Sequence, residues 1–300
     1  MRVVMAGSSG FLGTRLRRRL QRDGHEVVQL VRRAPTDGTQ RQWWPDRHEL
    51  DPTVLIGAGM VINLAGRGVE DRRWSDTFKR ELVDSRVDPT ATLAIAVAAL
   101  PAADRPAAIL NASAVGFYGD SGDTAVDEDS PAGSGFFPDL CQRWEAAADP
   151  AVQAGVRVTK LRTGLVLDAG GGLLKPLLLA FRLGAGGRLG SGRQWMPWIS
   201  MRDWLSAATF LVAHEVAGPV DLVGPHPVRN TEFAKVLAAA LHRPALVPTP
   251  AFALRAVLGE FAHEALASQR VLPTRLTEAG FTFTDPTVAT AIASALRRDS

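Results

Sequence analysis

Four residues suited to a buried strand, Val3-Val4-Met5-Ala6, run directly into Gly7-Ser8-Ser9-Gly10-Phe11-Leu12-Gly13. Beyond them Leu12, Leu16 and Leu20 recur every four residues, which predicts a helix with one face against a sheet. Gly24 follows at a C-cap position, and residues 25–31 read as a second strand. Residues 60–66 read as a further buried strand ending in small residues. Residues 74–100 are mostly helical in pattern, with Asp88-Pro89 marking a kink or a new helix start. Strand 108–113, helix 137–148 and strand 156–167 continue the alternation. Strands alternating with helices predict an α/β fold, a Rossmann-like doubly wound parallel sheet.

From about Gly170 the texture changes. Glycine runs at 170–172 and 184–192, then Trp195, Trp198 and Trp204, suggest loops and helices around a pocket. Residues 220–224 read as one more strand returning to the sheet, and a proline-rich link at 244–250 leads into an apolar helix at 251–258. The expected division is a nucleotide-binding domain over 1–168, to which residues about 200–224 return. A smaller, mostly helical domain over 169–300 would hold substrate at the carboxyl ends of the strands.

The three glycines, spaced G-x-x-G-x-x-G between strand and helix, predict a dinucleotide cradle. Glycine permits the tight turn, and its missing side chain lets a pyrophosphate approach the helix N-terminus. The cradle residues are Gly7, Ser9, Gly10, Phe11, Leu12 and Gly13. About 20 residues on, where an NAD-specific unit carries an acid, the chain has Val31-Arg32-Arg33. Arginine pairs with a 2′-phosphate, so the expected cofactor is NADP(H), with Arg32 as main contact and Arg33 as second choice. The alternative is two exposed arginines ending a strand.

Composition narrows the class further. The 300 residues are 46% apolar and 22% charged, with a net charge of only +3, so a nucleic-acid partner is not expected. A single cysteine, Cys141, excludes an intrachain disulfide and a cysteine zinc site. The six histidines are scattered without paired spacing, so no metal is expected. No run suggests a signal segment or a membrane span, and a cytoplasmic protein with a small-molecule substrate is the expectation, monomer or homodimer being open.

The order of features resembles the extended short-chain dehydrogenase/reductases, and more narrowly their atypical epimerase-family branch of sugar-nucleotide epimerase-like proteins. The resemblance runs along nearly the whole chain. It rests on residues 7–13, Asn63-Leu64-Ala65-Gly66, Arg73-Trp74 with Ser85-Arg86, residues 112–119 and 141–145, Leu161-Arg162-Thr163-Gly164, residues 187–194 with Trp198-Ile199, and residues 269–273. It implies cofactor contacts from Leu64 and Ala65 behind the adenosine, from Glu81 and Arg86 on the next helix, and from Val166 beside the nicotinamide. Arg86 suits a pyrophosphate or nicotinamide-ribose contact, and Glu81 a ribose hydroxyl.

The superfamily's usual chemistry uses a Tyr-x-x-x-Lys pair, and this chain departs from it. Its one tyrosine, Tyr118, has Gly122 four residues on; matching Glu145 to the glutamate that often follows the motif puts Phe137 and Cys141 where tyrosine and lysine would stand. Ser113 resembles the serine that hydrogen-bonds the substrate oxygen, or else caps a strand end. Tyr118 reads as a displaced proton donor or as a packing residue, Cys141 as a small hydrophobe or a nucleophile. Glu145 is a carboxyl of raised pKa or a helix salt-bridge partner. The first functional reading is an NADP(H)-binding oxidoreductase acting on a small carbonyl or hydroxyl compound, with Ser113 and Tyr118 as catalytic candidates. Its rivals are an epimerase or dehydratase with retained cofactor and a non-enzymatic NADPH-binding sensor or scaffold.

Overall fold

In the computed structural model, which describes residues 1–245 and 248–297, the chain alternates strands and helices. In order these are β1 (Arg2–Ala6), α1 (Phe11–Arg22), β2 (Glu26–Val31), β3 (Gln40–Gln42), β4 (Met60–Asn63), α2 (Asp76–Ala99), β5 (Ala108–Ala114) and β6 (Ala125–Val126). Then come α3 (Phe136–Ala146), α4 (Asp149–Gln153), β7 (Arg157–Thr163), β8 (Leu165–Leu167), α5 (Leu174–Arg182), β9 (Trp195–Met196) and β10 (Trp198–Ser200). The carboxyl-terminal part holds α6 (Met201–Ala213), β11 (Gly218–Leu222), β12 (Val228–Arg229), α7 (Asn230–Ala240), α8 (Ala251–Leu258), α9 (Phe261–Leu266), β13 (Arg270–Val271), α10 (Thr274–Glu278) and α11 (Val288–Arg297).

Seven strands form one sheet in the order β11-β7-β5-β4-β1-β2-β3. The chain winds outward from β1 in both directions, as a doubly wound sheet requires. The register sets Ala6 beside Leu30 of β2 and beside Asn63 of β4, and Asn63 beside Asn111 of β5, all parallel. The carboxyl ends of β1, β4 and β5 therefore share one edge.

Two compact units make up the chain. The first comprises Met1–Ser113, Leu140–Leu161 and Ala208–Pro219; the second Ala114–Asp139, Arg162–Ala207 and Val220–Ser300. Within the first, Val4, Ala6, Val28, Leu30 and Val61 pack with Leu93, Ala94 and Val97 of α2. Within the second, Trp198, Phe181 and Phe233 pack with Ile292 of α11. These units divide the chain differently from the expected boundary at residue 168: residues 114–139 and 162–168 group with the carboxyl-terminal part. The reason is local pairing. β6 pairs with β13, and Gln269 donates through Nε2 to the carbonyls of Val115 (3.1 Å) and Gly119 (3.0 Å), which ties 115–126 to residues 268–271.

Other differences are smaller. One helix runs through Pro89 without a new start, capped by the Ser75 hydroxyl, which accepts from the Phe78 N–H. The strand expected over 156–167 divides at Gly164 into β7 and β8, because β8 leaves the main sheet to pair with β10. The returning strand lies at 218–222 rather than 220–224. The short polar β3, Gln-Arg-Gln, has no counterpart among the elements expected from the sequence pattern. Positions 246 and 247 of the proline-rich link lie outside the described residues.

Candidate nucleotide-binding site

The first unit builds a cradle from the turn after β1. Gly7 has φ +73°, and a Cβ there would lie 2.4 Å from the Leu64 carbonyl. A Cβ on Gly13 would lie 2.0 Å from the Gly7 carbonyl oxygen. Two backbone approaches thus depend on glycine, and they press α1 and the 64–65 turn against the end of β1. Gly10 caps α1 without any side-chain hydrogen bond, and the first turn carries no acidic residue. First-turn N–H groups have no intrahelical acceptor, so this helix end presents donors and a partial positive charge to an anion.

Ser9 and Gly10 are exposed there, Phe11 and Leu12 half-buried. The Arg15 guanidinium sits 4.6 Å from the Phe11 ring centroid. Ser8 is buried instead, donating to Gln29 Oε1 at 3.1 Å, which locks the turn to β2. Arg32 and Arg33 follow β2 directly and are both exposed. Since Leu30 pairs with Ala6, Arg32 leaves its strand one sheet spacing, about 4.8 Å, from the glycine turn. The residues fit a phosphorylated dinucleotide: an uncapped helix end, a turn without side chains, and two arginines at the next strand's tip.

On the other side, Leu64 donates its N–H to the Ala6 carbonyl (3.1 Å) and Ala65 to Asn63 Oδ1 (3.1 Å). The fully buried Asn63 also donates to Asn111 Oδ1 (2.8 Å) and Thr90 Oγ1 (2.9 Å). Thr90 in turn accepts from Trp144 Nε1 at 3.1 Å. A buried polar network this well connected rigidifies its surroundings. It fixes α2 and α3 against the strand ends that would face a nicotinamide.

Glu81 and Arg86 both lie on α2. The Glu81 carboxylate accepts from Arg67 and lies 3.8 Å from Arg72, so it balances arginines of the 66–74 loop. Arg86 donates to the carbonyls of Leu82 (2.9 Å) and Arg67 (2.7 Å) and lies 5.3 Å from the Trp144 ring. Burial lowers its pKa from the usual arginine value, partly countered by Cys141, Glu70 and Asp71. Its side chain runs beside Gly66, where a Cβ would be 3.5 Å away. Val166 belongs to the second unit, in β8 opposite Ile199.

Ser113, next to last in β5, donates to Glu145 Oε1 of α3 at 2.7 Å, and both residues are buried. Sequence reasoning named each residue but missed their pairing; the only available signal was Glu145 lying one turn beyond Cys141. Tyr118 lies in the second unit, 3% exposed. Its hydroxyl donates to Asp221 Oδ2 (2.8 Å) and accepts from Arg162 Nη1 (3.0 Å). The Arg162 guanidinium also covers the Phe117 ring at 3.5 Å. Burial first, then Asp221, raise the Tyr118 pKa far above that of a free phenol, Arg162 opposing in part. Cys141 is fully buried. Among the described residues no group of three or more His, Cys, Asp or Glu side chains could hold a metal, and no helix is long and apolar enough to cross a membrane.

A doubly wound sheet whose first turn is a glycine cradle over an uncapped helix is the architecture of the dinucleotide-binding α/β class. Comparison with known proteins narrows this. Residues 3–139 match the model of the NAD dependent epimerase/dehydratase family, and residues 249–295 match a domain of unknown function, DUF1731. An epimerase family protein of Mycobacterium tuberculosis is 44% identical over 298 residues, covering 99% of this chain and 98% of its own. The human epimerase family protein SDR39U1 is 39% identical, covering 97% and 98%. The crystal structure of human SDR39U1 (isoform 2) with NADPH superposes with a TM-score of 0.89 at 35% identity, covering 99% of each chain. The chain belongs to the epimerase family of SDR39U1-like proteins, an atypical branch of the extended short-chain dehydrogenase/reductases.

Proposed function

We propose that the protein is an NADP(H)-binding oxidoreductase acting on a small carbonyl or hydroxyl compound. The observation that carries this reading is the cradle: Gly7 and Gly13 hold backbone against backbone, α1 opens without a cap, and Arg32 and Arg33 stand exposed at the tip of β2. The crystal structure of human SDR39U1 with NADPH supports the same coenzyme here. Gly10, Phe11, Leu12 and Gly13 would hold the pyrophosphate, Arg32 the 2′-phosphate, Leu64 and Ala65 the adenosine, and Arg86 the nicotinamide end. Bound NADPH supplies hydride.

The chain's own residues then bind, orient and hold protons. Ser113, at the strand-end edge shared with Gly7 and Leu64, polarises the substrate oxygen. In this reading Tyr118 is the packing residue, since burial and Asp221 together oppose release of its proton. Without the Tyr/Lys pair, rate depends more on positioning over the nicotinamide. The test is NADPH oxidation by the purified chain across a panel of aldehydes, ketones and diketones. Turnover with at least one small carbonyl is expected; coenzyme binding with no reduction anywhere contradicts the oxidoreductase reading.

A further inference from the structure

We propose that Glu145 is a proton relay behind Ser113, exchanging the proton of the substrate oxygen through the serine hydroxyl. The inference rests on the oxidoreductase reading above. Its basis is a buried carboxyl–hydroxyl pair, Ser113 Oγ to Glu145 Oε1 at 2.7 Å, with the residues 3% and 5% exposed. A carboxyl taken out of water is costly, and this one is held at the strand end as the acceptor of the Ser113 hydroxyl.

Position points the same way. Asn111 sits opposite Asn63, and Ser113 lies two residues farther on the same face of β5, toward the carboxyl edge that carries the 64–65 turn. Trp144, anchored to Thr90 and overlaid by Arg86, fixes the rotation of α3 so that the next residue faces β5. One and two turns earlier the helix offers Cys141, fully buried, and Phe137, which has no proton to give. Burial also makes a relay necessary. A serine shielded from water cannot be reprotonated by bulk solvent while the substrate is in place.

The step balances. In oxidation the substrate hydroxyl gives its proton to Ser113 Oγ, whose own proton passes to the Glu145 oxygen that accepts its hydrogen bond. The freed O–H pair becomes the carbonyl π bond as the carbon gives hydride to NADP⁺. The carbonyl compound and NADPH leave, and the proton on Glu145 passes to solvent. Reduction runs the same transfers in reverse, hydride going from NADPH to carbon while a proton taken up from solvent passes through Glu145 and Ser113 to the oxygen.

The full-length chain loaded with NADPH tests this with 9,10-phenanthrenequinone, an unhindered diketone, as the carbonyl probe. Glu145→Gln keeps the shape but cannot relay, and kcat falls about 10²-fold, with KM and NADPH affinity within a few-fold of wild type. Glu145→Asp recovers part of the loss. Ser113→Ala costs a similar factor, and the double variant loses no more than either single one, because the pair acts as a unit. Independently of turnover, Ser113→Ala shifts the infrared carboxyl or carboxylate band that Glu145→Gln removes. An unchanged kcat in Glu145→Gln, additive losses in the double variant, or a band indifferent to Ser113→Ala overturns the relay while leaving the oxidoreductase reading intact. If Glu145→Gln does not fold, the Glu145→Asp and Ser113→Ala comparison decides alone. Wild-type protein that binds NADPH yet reduces neither the quinone nor any carbonyl of the panel overturns both.

Discussion

Replacing Gly13 and Gly10 by alanine separates what the cradle does for the fold from what it does for the ligand. A Cβ on Gly13 would meet the Gly7 carbonyl oxygen at 2.0 Å, the Gly7 carbonyl carbon at 2.9 Å and Ser8 Cα at 3.0 Å. All three are backbone atoms, so α1 must move off the end of β1. Overpacking of this kind costs about 1–3 kcal/mol, which for a chain of this size lowers Tm by roughly 2–5 °C. The displaced helix no longer aims its N–H groups at the turn, so NADPH affinity falls as well. On Gly10 the nearest atom to a Cβ, again the Gly7 oxygen, is 3.4 Å away, an ordinary contact, and the position is exposed. Gly10→Ala therefore leaves stability within about 0.5 kcal/mol of wild type but puts a methyl group where the pyrophosphate approaches. Thermal unfolding and titration of NADPH fluorescence measure both quantities. A Gly13→Ala protein with wild-type Tm would show that α1 does not need this glycine, and a Gly10→Ala protein with wild-type affinity that no pyrophosphate approaches there.

Three further outcomes follow from the buried polar groups. Tyr118→Phe leaves Asp221 and Arg162 without the hydroxyl that joins them and costs about 1–3 kcal/mol in denaturant unfolding; a loss of turnover at unchanged stability would return Tyr118 to catalysis. Thr90→Val removes the acceptor shared by Asn63 and Trp144, and the same assay is expected to show a loss of about 1–3 kcal/mol; no loss would mean the network does not hold α2 and α3. Burial, the largest influence, raises the Asp203 carboxyl above its ordinary 3.8, with Asp285 adding to it and the N–H groups of Thr284 and Asp285 opposing. The protonated form is thus favoured by folding. Its contribution is full below pH 3.8 and shrinks as pH rises through the raised value. The stability difference between wild type and Asp203→Asn is expected to shift against wild type from acid to neutral pH; a shift in the opposite direction contradicts the assignment.

The cradle was readable because its cause is local. Buried-strand residues, glycines and a four-residue leucine repeat stand next to one another, and each dictates backbone within a few positions. Arg32 was readable for the same reason, as the residue at a strand tip. Leu12 shows the limit, since its repeat placed it with Leu16 and Leu20 but it is only half-buried while Gly13 is fully enclosed. The division into units was not readable, because it depends on pairings such as Tyr118 with Asp221 that lie 103 residues apart. β3 escaped because Gln-Arg-Gln carries no apolar alternation and exists only through its neighbour β2. The Ser113–Glu145 pair escaped because two ordinary polar residues 32 positions apart acquire meaning only when α3 docks beside β5.

We infer that the turn after β1 cradles an adenine dinucleotide and that charge past β2 chooses the phosphorylated form. Parallel titrations of wild type and Arg32→Ala with NADPH and NADH decide both points. Wild type is expected to bind NADPH more tightly than NADH, and Arg32→Ala to weaken NADPH by about 1–3 kcal/mol while leaving NADH nearly unchanged. Equal losses for the two coenzymes would exclude Arg32 as the 2′-phosphate contact, and no binding of either by the wild-type chain would exclude the cradle.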